Sequence, residues 1–388
     1  MHVTIVTAFP EFFGDFLSTS IVGRAVKSGL IRVDLIDLRS FGRGGYRQID
    51  DYAFGSGGMV LAAPQLHDAV DAARKMDDGN SFVVYPSPQG ALLTQEIVES
   101  LSKQEHVIVL CGHYEGIDER FAEREVDMEV TVGDCVLTGG EIPAMAIVDA
   151  MSRLVPGVVG RAGAVADDSF YSGMLDHPHY TRPAVWDGMR VPEVLLSGDE
   201  AEVAAWRRSE AVKRTLSRRA DLLPRAAVGD YLSGVYVAVV PDSDSNVIPT
   251  EETLRCVSSL CRLYGLGRPF WVIANRDARH AFGEKLSAMT ERGELNPAPK
   301  VLGSLGRVTE TVSEKGTPLI VGVLSRPISG SLHSLEAKRR CLEHGGPLLV
   351  AFGDVGSADT TTCLTWDGDD LPLAARMAVI LDRLLGKR

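Results

Sequence analysis

Short apolar runs and amphipathic stretches alternate along this chain. VTIVTAF (3–9) is continuous and rich in β-branched residues, the pattern of a strand buried on both faces. Apolar positions at helical spacing follow around 11–28, and IRVDLIDL (31–38) predicts a second strand. SFVVYP (81–86) and HVIVLCG (106–112) predict two more, each preceded by a helical stretch. Such alternation predicts an α/β domain with a largely parallel sheet. The segment 153–183 is polar and glycine-rich, residues 184–229 read mostly helical, and GVYVAVV (234–240) then restarts the strand pattern. The expected division is an α/β domain over 1–160, a flexible linker over 161–183, a small helical domain over 184–230 and a second α/β domain over 231–388.

Three interruptions stand out: YPSPQG (85–90), CGHYEGIDER (111–120) and VGDCVLTGGE (132–141). Each follows a strand directly and carries glycine or proline. Open parallel sheets bind ligands at the carboxyl ends of their strands, so the three loops are expected to share one crevice. In the third, Gly133, Gly139 and Gly140 stand with Asp134 and Glu141 just before an apolar helix. Glycine is needed where φ is positive or where backbone must approach something closely, and a bound cofactor is the expected neighbour. Residues 39–63 are glycine-rich and long for a loop, which marks them as functional or disordered.

No GxGxxG follows the first strand and no GxxxxGK[ST] occurs, which removes the dinucleotide and P-loop readings. Asp167, Asp168, Asp176, His177 and His179 cluster in sequence. A metal site is not assigned to them, because a proline parts the histidines and no helical or strand repeat gathers them. The six cysteines form no CxxC and no disulfide frame, as in a reducing compartment. The first residues lack a basic, apolar leader, and no run of about 18 apolar residues occurs, so a cytoplasmic protein without a membrane span is expected.

Charge changes the picture in one place. Residues 1–230 carry 34 acids and 22 bases, whereas 231–388 carry 18 of each. The acidic balance argues against a nonspecific nucleic-acid binder. Yet residues 201–225 hold seven Lys or Arg against three acids, on a helical pattern with one apolar face. Potential is local on the Debye scale of roughly 10 Å, so Arg207, Arg208 and Arg214 are candidate phosphate contacts. A solvated helix face is the other reading of the same residues.

SPQGALLTQ, CGHYEGIDER, GDCVLTGGEIPAM, LDHPHYTRP and VPEVLLSG occur in that order within residues 1–225. Together they resemble the bacterial tRNA (guanine-N1)-methyltransferases. The resemblance implies a doubly wound α/β domain tied in a C-terminal trefoil knot that binds S-adenosyl-L-methionine. It implies a homodimer with the active site shared across the interface. The implied reaction methylates N1 of guanosine 37 of tRNA. It implies cofactor contacts at Tyr85, Ser87, Pro88, Gly112, Tyr114, Val132, Gly133, Asp134, Cys135, Val136, Leu137, Gly139 and Gly140. By the same resemblance Asp168, directly before Ser169 and Phe170, is the base that takes the N1 proton, and Arg153 neutralises charge on O6. Glu115 resembles an acid linked to Mg2+ dependence, and Asp176 one near the methionine amine. Bland alternatives are a helix-end cation for Arg153 and a loop acid or N-cap for Asp168. His113 and Cys135 depart from the family, which often has Arg and an aromatic residue there.

The second half repeats the order. GPLLVAFGDVGSAD (346–359) resembles HVIVLCGHYEGID, and CLTWDGDDLPLAARMAVILDRLLG (363–386) resembles VTVGDCVLTGGEIPAMAIVDAMSRLVPG. It resembles a second RNA methyltransferase-like domain of the same knotted superfamily. TGGE becomes DGDD there, and no counterpart of Asp168 follows. A binding or docking module without catalysis is the alternative.

Overall fold

A computed structural model of the protein describes residues 1–55, 57–77, 80–159, 168–241, 249–324, 331–355, 360–365 and 371–386. Contacts divide the chain into two units, Met1–Asp167 and Asp168–Arg388.

The first unit runs β1 (His2–Thr7), α1 (Gly14–Ser18), α2 (Ser20–Lys27), β2 (Arg32–Asp37), β3 (Asp50–Tyr52), β4 (Met59–Leu61) and α3 (Ala63–Arg74). It continues through β5 (Ser81–Leu92), α4 (Gln95–Ser102), β6 (His106–Leu110), α5 (Glu119–Glu125), β7 (Met128–Thr131) and α6 (Glu141–Ser152). Five strands form a parallel sheet in the order β2-β1-β6-β5-β7. Every residue of β1 and β6 is buried, because helices cover both faces. Val6, Ile108 and Leu110 pack with Leu66, Ala69 and Val70 of α3. Their neighbours Ile5, Val107 and Val109 point the other way, against Ile147, Val148 and Met151 of α6.

Two expectations change here. YPSPQG is not a loop after a strand. It lies within β5, whose pairing with β7 runs to Pro86, breaks, and resumes at Ala91 opposite the same Val130. The extra residues stand out of the ladder as a bulge. Gly90 closes it, since a Cβ there would sit 2.3 Å from the Val130 nitrogen. Residues 39–63 also contain the antiparallel pair β3 and β4.

The second unit opens with β8 (Val185–Trp186) and β9 (Met189–Arg190), then α7 (Glu200–Arg218), β10 (Val235–Val240), α8 (Glu251–Leu263), β11 (Phe270–Val272) and α9 (Arg276–Glu291). It ends with β12 (Lys300–Leu302), α10 (Leu305–Ser313), β13 (Leu319–Leu324), α11 (Ser334–His344), β14 (Leu348–Gly353), β15 (Thr362–Thr365) and α12 (Leu373–Leu385). Six parallel strands lie in the order β12-β11-β10-β14-β13-β15. This repeats the first sheet's arrangement: β14 sits beside β10 as β6 sits beside β1, and β15 flanks β13 as β7 flanks β5.

Residues 184–192 are not helical, and Glu193–Leu196 form only a short 3-10 turn. β8 and β9 form a hairpin through Asp187 and Gly188, with φ of 50° and 77°. Positive φ at both central residues is what a two-residue hairpin turn with strand-compatible twist requires. The α-helical part of the expectation is met by α7, capped by Asp199 on the amides of Ala201 and Glu202, with short 3-10 turns at 220–222 and 229–231 after it. Its Val212 shares one buried cluster with Leu223, Ala226 and Val228 and with Leu381, Leu384 and Leu385 of α12.

Candidate active site

In the first unit, the carboxyl ends of β5, β6 and β7 frame one cavity of about 270 Å³, open on one side. Of the residues expected to meet a cofactor, Tyr85, Ser87, Pro88, Gly112, Tyr114, Glu115, Val132, Cys135, Val136, Leu137, Gly139 and Gly140 line it. Gly133 and Asp134 belong to the same loop but not to the lining. Tyr85 is buried, and its phenol is pushed up to about 12, chiefly by burial, with the carboxylates of Glu129 and Glu119 adding to it. It therefore remains a neutral hydrogen-bonding group at physiological pH.

Gly140 shows why the third loop is glycine-rich. Its backbone, at φ −80° and ψ −4°, is open to any residue. A Cβ there would lie 2.7 Å from Cys111 Cα and 2.8 Å from the Gly112 nitrogen, and the Gly140 amide donates to the Gly112 carbonyl at 2.9 Å. The close neighbour that excludes a side chain is thus the chain itself at 111–112. Gly140 also lines the cavity, so the same backbone faces both the chain crossing and the space expected to hold a cofactor.

The next residue stands in the sequence as an acid of this loop, with no role assigned to it there. Glu141, the first residue of α6, is 5% exposed. Its carboxylate accepts from Thr7 Oγ1 at 2.7 Å and from His113 Nε2 at 2.8 Å. The positive end of a helix also favours a carboxylate there. His113 lines the cavity and packs on Phe9 with ring centroids 4.9 Å apart. Cys111, close by, has its thiol pushed well up, first by burial and then by Glu141, so it does not serve as a thiolate. Thr131, Thr138 and Gly116 also join the lining. The signal for Glu141 was an acid directly after a glycine pair; its partners lie 134 and 28 positions away in sequence.

Arg153 is the C-cap of α6, half-buried, its amide donating to Asp149 O at 3.2 Å. Asp168 and Asp176 belong to the second unit. Asp168 O accepts from the Tyr171 amide, and the Asp176 amide donates to Ser169 Oγ at 2.9 Å. Asp167 and the DGDD stretch (367–370) lie outside the described residues.

Asp176, His177 and His179 do come together. Asp176 Oδ1 meets His177 Nδ1 at 2.6 Å and Oδ2 meets His179 Nε2 at 2.8 Å, a grouping with metal-compatible spacing. A tight turn gathers them without any helical repeat. Both carboxylate oxygens already have imidazole partners, and burial chiefly lowers the pKa of His177. A hydrogen-bonded cluster accounts for the arrangement.

On α7, Arg207 and Arg208 are exposed and Arg214 is half-buried, while Ala211, Val212 and Thr215 face inward. Among the described residues no helix is long and apolar enough to cross a membrane.

A parallel α/β sheet whose strand-end loops enclose a glycine-walled cavity belongs to the domains that bind a small ligand at the carboxyl edge. Residues 1–225 match the family described as tRNA (Guanine-1)-methyltransferase TrmD, and the chain belongs to that family of methyltransferases. It is similar to the tRNA (guanine-N(1)-)-methyltransferase of Ruminiclostridium cellulolyticum, 47% identical over 223 residues, covering 57% of this chain and 96% of that protein. The protein of the same name from Endomicrobium trichonymphae is 43% identical over 234 residues, 58% of this chain and 100% of its own length. The one from Chlamydia pneumoniae is 42% identical over 282 residues, reaching 69% of this chain and 75% of its own.

Proposed function

We propose that this protein transfers the methyl group of S-adenosyl-L-methionine to N1 of guanosine 37 in tRNA. The observation that carries the reading is the cavity into which the bulge of β5 and the loops after β6 and β7 gather, in a chain of this family. Enzymes of this family use that methyl donor. The lining suits it: Tyr85, Val136, Leu137 and Pro143 offer apolar surface, while Ser87, Thr138 and the backbone of 132–140 offer polar edges. Bound there, the cofactor supplies an electrophilic methyl group. Asp168 takes the proton of guanine N1, which makes that nitrogen a nucleophile. Arg153 balances the charge that moves to O6. Asp176 faces the methionine amine. Holding the reactants in line is worth roughly 7–11 kcal/mol in well-oriented systems.

Arg207, Arg208 and Arg214 contact tRNA phosphates. The protein works in the cytoplasm as a homodimer with the active site shared across the interface. A trefoil knot closes the cofactor domain, 1–160, with 161–183 as the catalytic linker and 184–230 as the tRNA-contacting segment. Glu115 is the group tied to Mg2+. Its carboxylate lies beside Gly58, and Mg2+ bound through one carboxylate keeps most of its shell as water. The strand order repeated in 231–388 supports a second domain of the same knotted superfamily, acting on RNA or docking it.

Asp168→Asn tests the reading. Single-turnover methylation of a tRNA transcript bearing G37 should fall by about 10²-fold or more, with S-adenosylmethionine affinity within a few-fold. Near-normal turnover removes Asp168 as the base. Nucleoside mass spectrometry showing methylation at another atom removes the guanine N1 assignment.

A further inference from the structure

Residues 168–176 form neither helix nor strand, yet they are pinned along their length. Phe170 N donates to Met174 O at 2.7 Å, closing a turn with positive φ at Phe170 and Gly173. Leu175 N donates to Thr215 Oγ1 at 2.9 Å. The Ser172 carbonyl accepts from the Ala227 amide, and its hydroxyl meets Tyr231 OH, both at 2.8 Å. At Gly173 the backbones touch so closely that a Cβ would lie 2.6 Å from Ala226 Cα. The strap rests, in effect, on Ala226 and Ala227.

Those two residues are in turn held by the C-terminal half. Lys338 of α11 is 2% exposed and donates from Nζ to Ala226 O at 2.5 Å. Val228 N donates to Leu385 O at 2.6 Å, at the end of α12. Gly386 lies so near that a Cβ would come within 2.7 Å of the same Ala226 carbonyl. Burying an ammonium is costly unless it makes strong hydrogen bonds, and one formed by an ionised donor is about twice as strong as a neutral one. Burial lowers the pKa of Lys338, and Asp382 opposes that shift.

We propose that residues 231–388 act as the platform that fixes the 168–176 strap of the methyl-transfer centre, with Lys338 as the positioning residue that works through the Ala226 carbonyl. The C-terminal half then serves the known reaction whatever else it binds. The proposal rests on the reading of Asp168 as the base.

Lys338→Met in the full chain keeps the unbranched apolar stem and removes the terminal ammonium that donates to the Ala226 carbonyl. Hydrogen exchange of the Ala227 amide and of the 168–176 segment should speed up at least tenfold. Single-turnover methylation should fall about tenfold, with S-adenosylmethionine affinity within twofold. Lys338→Arg, which keeps a cationic donor, should recover part of the rate. Tyr231→Phe is the milder companion should Lys338→Met not fold: it keeps the ring, removes the hydroxyl that bonds Ser172, and should shift both readouts the same way. Unchanged exchange in a folded Lys338→Met or Tyr231→Phe chain overturns the platform. Full turnover in Asp168→Asn sinks the base assignment instead, and exchange still decides whether the strap is held from the C-terminal half.

Discussion

Gly140→Ala isolates one contact. Alanine is free to adopt the backbone of Gly140, so any cost comes from space. The new Cβ would stand 2.7 Å from Cys111 Cα, so the two backbones must part by about 0.7 Å to reach ordinary contact. Neither side yields easily. Cys111 is fully buried and its amide donates to Val6 O at 2.8 Å, while Gly140 opens the helix that covers the sheet. Overpacking of this kind costs about 1–3 kcal/mol. Losing the Gly140–Gly112 hydrogen bond adds about 1 kcal/mol. The expected loss is about 3 kcal/mol, roughly two powers of ten in the opening equilibrium. All four tryptophans lie beyond residue 167, so their fluorescence reports the second unit only. The assay is therefore hydrogen exchange of the 106–112 peptide, expected to accelerate about a hundredfold while the tryptophan unfolding midpoint holds. Gly45→Ala is the control, because nothing lies within 4 Å of its added Cβ. Exchange at 106–112 matching that control would refute the chain-crossing account and return Gly140 to a role at the ligand.

Glu141→Gln removes the charge that Thr7 and His113 share, and should cost the first unit about 2 kcal/mol, again read by exchange at 106–112; unchanged protection counts against the buried network. His106 is fully buried and its pKa is lowered to about 4, chiefly by burial, so the unfolded chain holds the extra proton between that value and about 6.5, and first-unit stability should fall by up to about 3 kcal/mol as pH drops through this window. His106→Gln should flatten that pH dependence in urea titrations followed by exchange, and an unaltered slope rejects the assignment. Reversing Arg207, Arg208 and Arg214 to Glu should weaken tRNA binding and lower its salt slope by roughly one per lost phosphate contact; equal affinity and slope reduce the segment to a solvated face.

Central strands were legible because a strand buried on both faces is a near-continuous run of apolar and β-branched residues, as in VTIVT and HVIVL, whose polar members Thr4, Thr7 and His106 find hydrogen-bond partners inside. Elements near the surface were less so. Asp187 and Gly188 spell a two-residue hairpin turn, but the helical pattern of α7 was extended backward over them. Pro86 and Pro88 argued for a loop, but Pro86 ends the first run of pairing and Pro88 lies in the bulge beyond it, where no ladder partner is needed. The site was legible as a set of loops and not as a set of contacts. Gly140 was marked correctly as a point of close approach, yet its neighbour lies 28 residues back in Gly112, and sequence spacing does not say which strand end a loop returns to. Glu141 reads locally as an ordinary first-turn acid, and only the fold brings Thr7 to it.

The family match ends at residue 225, whereas contacts divide the chain at 167 and 168. These boundaries answer different questions. The first marks where the family's own pattern stops, although the Chlamydia pneumoniae relative matches 69% of the chain. The second marks where the core changes hands. Residues 168–232 contribute Met174, Val212, Leu223, Ala226, Val228 and Leu232 to one cluster with the helices of the second sheet. A cut near 230 would therefore expose apolar surface on both products, and halves separated there are poor stand-ins for the chain. The Endomicrobium trichonymphae relative is matched along its whole length by 58% of this chain, so the family does not require such a platform. In this protein the segment bearing Asp168 is packed with residues beyond the family boundary, and changes on α11 or α12 are expected to register in methyl transfer without touching cofactor or tRNA.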